Sequence, residues 1–465
     1  MKKILLLSIL ISFAFAGNSQ NPVVLPLLYN WDDNTIPPAF YGAYNDCWGY
    51  VDAAGREYAI IGSSQGTYFF DITIPTSPVM VSFQKSKDTV TLAIHRDFKT
   101  YSHYAYGVAD EGDNSLQIFD LQYLPDSVVK VYDSNQFSKR CHNLFVSGDK
   151  LFLASNTVGS VFNAMDVLSL ANPANPTFLS SLNSIQFWHV HDVFVRNDTA
   201  YCSNGNDGLF IYSYVNPSNP VLKGSLTAYP QQGYNHSSWA TPDGKALVFA
   251  DETHGAALKI LNVSNYSALN IYSFFQSNLL NIPNPSGPNG SIPHNPFIRD
   301  NLCFISYYHD GVQVYDISNK NNAVKVAYYD TYTQHSDYAS YQGCWGVYPF
   351  LPSGNIIASD MKNGLFILNG SAILGIHQQN PQANSGYAYF NSSDNSFNLS
   401  ITSAKGQKSL ISVFDMTGNL VAEKTVDIPA GNSSYKISAV SLASGMYLIK
   451  ASGADLNFFK KIVKR

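Results

Sequence analysis

Along most of the chain, apolar and polar positions alternate in short runs, each closed by a turn rich in Gly, Asn, Asp or Pro. A period of two is that of strands with one buried face, and helical periodicity is almost absent. The runs are grouped into a phrase of roughly 40 to 55 residues that recurs with constant grammar, a period that marks stacked β units. It has a polar or His-containing entry, a short apolar strand, a second strand, an Asp/Asn-Gly turn, and a third strand ending near Asp. Two copies run from His191-Asp192-Val193-Phe194-Val195 to Leu209-Phe210-Ile211-Tyr212, and from His294-Asn295-Pro296-Phe297-Ile298 to Val312-Gln313-Val314-Tyr315-Asp316.

The other copies enter at Asp46-Cys47-Trp48, His95-Arg96-Asp97, Cys141-His142-Asn143, Tyr234-Asn235-His236 and Gly343-Cys344-Trp345. Seven copies predict an all-β, seven-bladed β-propeller. A fourth strand follows most third strands, but the seventh copy passes from Leu368 into Asn369-Gly370 without one. The segment Pro22 to Leu28 is an orphan strand, expected to complete the last blade and close the ring, which would leave only protected edges. Asp207-Gly208, His254-Gly255, Asp310-Gly311 and Asn363-Gly364 are expected hairpin turns.

The first residues, a charged Met1-Lys2-Lys3, the apolar run Ile4 to Phe15 and Ala14-Phe15-Ala16, form a signal peptide over residues 1–16. Residues 22–372 hold the propeller, and 373–386 form a polar linker. Residues 387–465 carry short strands without the propeller grammar, sized for a small β-sandwich. No later run reaches membrane-spanning length, so no transmembrane anchor is expected.

Aromatic residues make up 14% of the chain and charged residues 13%, and no Lys/Arg cluster interleaves with aromatics. Nucleic acid is therefore not an expected partner. Of the five cysteines, Cys47, Cys141 and Cys344 fall at blade entries, and Cys202 and Cys303 in second strands. Equivalent slots of different blades lie too far apart to bridge, so most are read as small buried apolar residues; Cys47 and Cys344 are the pair worth testing.

The C-terminal stretch resembles the sorting domain of the Bacteroidetes type IX secretion system. Val413-Phe414-Asp415-Met416-Thr417-Gly418, Leu442-Ala443-Ser444-Gly445-Met446-Tyr447-Leu448 and the basic terminus Lys460 to Arg465 carry the resemblance; Tyr389-Phe390-Asn391-Ser392 stands where the family opens on Tyr-Pro-Asn-Pro. It implies recognition by the type IX machinery and a secreted or outer-surface location. The propeller resembles the LVIVD-repeat proteins of the choice-of-anchor B family through Trp48-Gly49-Tyr50, Phe69-Phe70-Asp71-Ile72, His95-Arg96-Asp97, Cys141-His142-Asn143 and Trp345-Gly346-Val347-Tyr348-Pro349. That resemblance implies fold and location, and no reaction.

His142, His191, His236 and His294 fill one entry slot in four successive blades, and His95 a similar one. Entry slots line a propeller's channel, so these imidazoles converge on one axis as candidate ligands for a divalent transition metal. Asp110-Glu111 and Asp251-Glu252 could add oxygen ligands or orient the rings. The competing reading is structural, with each His and its following Asp97, Asn143, Asp192 or Asn295 tying blade to blade. Arg96 beside Asp97 suits an anionic ligand or an internal ion pair, and Trp48 with Trp345, neighbours if the ring closes, suits a stacking platform for glycan or peptide. Phosphate loops, nucleophile elbows and zincin motifs are absent. The leading expectation is an exported binding module; a metal-dependent hydrolase or lyase, and a surface module without ligand, are the alternatives.

Overall fold

The computed structural model describes residues 21–283, 287–374, 384–391, 394–403, 405–415, 418–453 and 456–464. The segment expected as signal peptide, residues 1–16, and most of the expected linker lie outside them. The chain divides into two compact units, Met1–Ile373 and Leu374–Arg465.

In the first unit the described residues form seven antiparallel meander sheets. Their innermost strands are Tyr44–Val51, Arg96–Tyr101, Arg140–Ser147, Asp192–Arg196, Asn235–Ala240, Asn295–Arg299 and Cys344–Tyr348. Each packs against the innermost strand of the next sheet, and Cys344–Tyr348 packs against Tyr44–Val51, so the contacts form a cycle.

Alternation explains the stacking. In Asp192–Arg196, Val193 and Val195 join Cys202, Phe210, Tyr212, Phe152 and Val167 in an apolar layer between neighbouring sheets. Asp192 and Phe194 face the other way, toward the axis. Each fully buried Phe, Leu or Val contributes about 1.5–3 kcal/mol. Turns with left-handed glycines close the hairpins. Gly208 and Gly311, at φ 91° and 70°, also lie where a Cβ would strike the carbonyl oxygens of Leu226 and Tyr329.

The N-terminal segment behaves differently from the single orphan strand expected. Val23–Val24 adds in parallel to Val324–Tyr329, whereas Leu27–Trp31 pairs antiparallel with Gly364–Asn369. Pro26 separates the two: it has no N–H to continue a ladder, and its carbonyl accepts from Asn369.

In the second unit, Asn384–Asn391, Ser396–Ser403 and Gly431–Ser438 form one sheet, and Leu420–Ile428, Gln407–Asp415, Gly445–Gly453 and Asn457–Lys464 the other. Alternate residues Phe397, Leu399 and Ile401 meet Ile411, Val413, Ile449 and Ala451 in one core. At the basic terminus, Lys464 is buried and its ammonium donates to the carbonyls of Ala439 and Leu442.

Candidate metal centre in the channel mouth

Five imidazoles and one indole form a continuous ring at one end of the channel. Centroids of neighbours lie 5.2 Å apart for His95–His142, 4.1 Å for His142–His191, 4.3 Å for His191–His236 and 4.5 Å for His236–His294. Trp345 closes the circle at 4.8 Å from His294 and 5.3 Å from His95. The backbone sets these positions: the amides of His191 and His294 donate to Ser203 and Ser306 on their second strands, ahead of the first inward-facing strand residue.

Three of the rings have Nδ1 engaged: His95 with Glu111, His142 with Asp110 at 2.9 Å, and His294 with the Trp345 carbonyl at 2.6 Å. Such partners leave Nε2 for another use. His191 and His236, 9% and 3% exposed, have Nδ1 buried without a partner. Burial and then neighbouring imidazoles hold both far below the usual histidine range, and burial takes His294 down to about 3. These three rings are neutral, as metal ligands must be. For His142, burial pulls downward, but the bond and charge of Asp110 win and raise it.

Two groups bring ligand atoms within 4.8 Å of one another: His95, Asp110 and His142, and His191, His236 and Glu252. Glu252 Oε2 lies 3.7 Å from His236 Nε2, and its other oxygen accepts from the Tyr308 hydroxyl. Burial pushes this carboxyl up to about 7, against the Tyr308 bond and His142. Asp251, one residue earlier, points to the opposite side and pairs with Lys259 at 2.6 Å. The ring floors a cavity of about 330 Å³ whose walls are Phe40, Tyr41, Tyr308 and Tyr341, with no Lys or Arg in its lining.

Deeper in the channel, one polar layer follows. Asn143 bridges Asp97 and Asp192, and Asp97 also accepts the Leu144 amide and the Lys99 ammonium. Burial, then the Asp97 charge, raises Asp192 to about 7 and holds Asp46 well above the usual carboxylate range. Blade-to-blade ties are thus made by Asp97, Asn143 and Asp192 in this layer and by two of the rings above it, His142 to Asp110 and His294 to the Trp345 carbonyl. Below them Phe145, Phe194, Trp239, Phe297 and Phe350 pack ring on ring and fill the other end.

Two pairings expected from the sequence do not form. Arg96 is buried, but its guanidinium donates to the Ser63 carbonyl and the Ser86 hydroxyl, while Asp97 takes Lys99 as its ion-pair partner. Adjacent strand residues face opposite ways, so Arg96 lies between sheets and Asp97 in the channel. Trp48 and Trp345 do not meet either. Trp48 packs on Tyr348 and Phe297 under the Lys99 ammonium, among the aromatic residues, whereas Trp345 belongs to the His ring. Register shifts at Tyr44/Cys47 and Cys344/Gly346 place the two Cys-Trp-Gly strings at different depths. All five cysteines are buried free thiols, Cys47 and Cys344 included.

Residues 388–465 match the secretion system C-terminal sorting domain family. The chain is exported. This domain addresses it through type IX secretion to the cell surface or the medium, and no helix among the described residues is long and apolar enough to cross a membrane. No curated protein matches the sequence. Among solved structures, the WD40 repeats of RRP9 align at TM-score 0.50 and 9% identity over 75% of this chain and 99% of theirs. The β-propeller domain of Myceliophteria thermophila Cps50 (Swd1) aligns at TM-score 0.47 and 11% identity, over 72% and 99%. At 9% identity the RRP9 likeness carries the fold alone, an all-β propeller.

Proposed function

We propose that the exported chain is a seven-bladed propeller of the LVIVD-repeat type, closed by Leu27–Trp31, that binds a divalent transition metal in its channel mouth and a small ligand through it. The cycle of inner-strand contacts supports the closure. One observation carries the metal reading: His191, His236 and Glu252 converge within 4.8 Å, with both imidazoles buried and neutral and Glu252 Oε2 facing His236 Nε2 at 3.7 Å. Imidazole with carboxylate is a donor set that suits zinc, copper, iron or nickel. The aromatic walls then offer stacking surfaces to a glycan or peptide group.

A metal-dependent hydrolase or lyase is the second reading, favoured by the count of ligands: His191, His236 and Glu252 are three protein groups, which would leave a position on the ion open to substrate or water. Elemental analysis of the purified mature protein, with a His191→Ala, His236→Ala double variant, tests both. Stoichiometric metal that the variant loses without unfolding supports the site, and turnover by the metal-loaded form would add the enzyme. No metal, with a large fall in melting temperature in the variant, would make the His ring a structural device.

A further inference from the structure

The His ring at the cavity floor, with the carboxylates beside it, carries two ligand sets side by side. His95, Asp110 and His142 form one, and His191, His236 and Glu252 the other; each is compact to 4.8 Å. They abut at His142 and His191, whose ring centroids are 4.1 Å apart. His294 stands outside both, held by the Trp345 carbonyl. Each set supplies three protein groups, the number that leaves an open position on a metal; in the first set an ion would take the place of the proton between His142 Nδ1 and Asp110, now 2.9 Å apart.

Charge then defines the ligand. With metal bound, Asp110, Glu111 and Glu252 would all be ionised, and two divalent ions would bring four positive charges against their three negative ones, leaving one net positive charge. No Lys or Arg lines the cavity, so the ions would be its only positive groups. Paired metals with open positions are clamps for oxyanions, whose oxygens can take one metal each.

Resting on the metal reading above, we infer that the mouth holds two divalent transition-metal ions, one on each set, and that a phosphate oxyanion, free or as a monoester, bridges them. The aromatic walls Tyr41, Tyr308 and Tyr341 would receive the organic part of an ester.

The test uses the full mature chain, saturated with zinc, desalted and assayed for bound metal, followed by calorimetric titration with inorganic phosphate and with phenyl phosphate. The wild type is expected to hold two zinc ions; His142→Gln and Asp110→Asn should each hold one and bind phosphate on the order of tenfold more weakly or not at all. Circular dichroism checks that both variants fold, and a defect in one leaves the other to decide. Tighter binding of phenyl phosphate would identify a monoester as the ligand, and equal binding free phosphate. One zinc in the wild type, unchanged in both variants, overturns the two-ion site and leaves the single-metal reading standing. No zinc in the wild type removes both, and two zinc ions without phosphate binding overturn the oxyanion assignment.

Discussion

His236 Nε2 and Glu252 Oε2 face each other at 3.7 Å, the ring buried and the carboxylate partly so, in a cavity lining that supplies no other carboxylate to the imidazole. That distance is too long for a hydrogen bond. It is close to the separation of about 3.4 Å between two ligands at the corners of a tetrahedral zinc ion. Glu252→Gln keeps the shape and the Tyr308 contact but removes the charge. It should weaken zinc binding on the order of 100-fold, read by competition with a chelator, with little change in melting temperature.

Ring closure has its own test in Trp31. This side chain, on the strand paired to Gly364–Asn369, packs against Tyr44, Tyr68 and Phe70 of the first sheet at centroid distances of 5.6, 4.9 and 4.8 Å. Trp31→Ala removes the N-terminal strand's aromatic contact with the first sheet, and should cost about 3 kcal/mol in denaturant unfolding. An unchanged midpoint would mean that the N-terminal strand does not hold the ring together.

The His ring was legible in the repeat because four of its members share an entry slot, His142, His191, His236 and His294. Its depth within the channel was not. The Cys-Trp-Gly strings look equivalent, yet register shifts move Trp48 among the aromatics and leave Trp345 in the ring. Asp251 and Glu252 are indistinguishable as letters, and only their opposite directions send one to Lys259 and the other to His236. Phe40, Tyr41 and Tyr341 lie in loops outside the repeat grammar, so nothing periodic marked them; Lys99, inward-facing on its strand, was hidden because a lone Lys reads as surface.

Lys259 and Asp251 form an ion pair with neither side chain exposed. Asp251 also accepts from the Tyr229 hydroxyl and the Gly233 amide, and Lys259 donates to the Gln231 carbonyl. Lys259→Met leaves a buried carboxylate without its cation and should cost about 3–5 kcal/mol. A Lys259→Met, Asp251→Leu double variant should regain only part of the loss, measured by chemical denaturation, because the Tyr229 hydroxyl and the Gly233 amide lose their acceptor.

Asp360 makes stability depend on pH in a defined direction. Burial raises it from 3.8 to about 6, against bonds from the Lys362 and Asn363 amides and the Thr331 hydroxyl and with Asp330 pushing upward. Between these values the unfolded chain has released its proton and the folded one has not, so this group's contribution falls as pH rises from about 4 to 6 and is flat above. The loss amounts to about 3 kcal/mol. Asp360→Asn should be less sensitive to pH across that window than the wild type, and an identical pH profile would contradict the assignment.

Anomalous diffraction at the zinc edge, from crystals of the mature protein grown with zinc, addresses the metal site most directly. The account predicts a peak in the channel mouth within bonding distance of His191, His236 and Glu252, absent in the His191→Ala, His236→Ala variant. Crystals whose zinc peaks all lie elsewhere, with the His ring unchanged and empty, would contradict it.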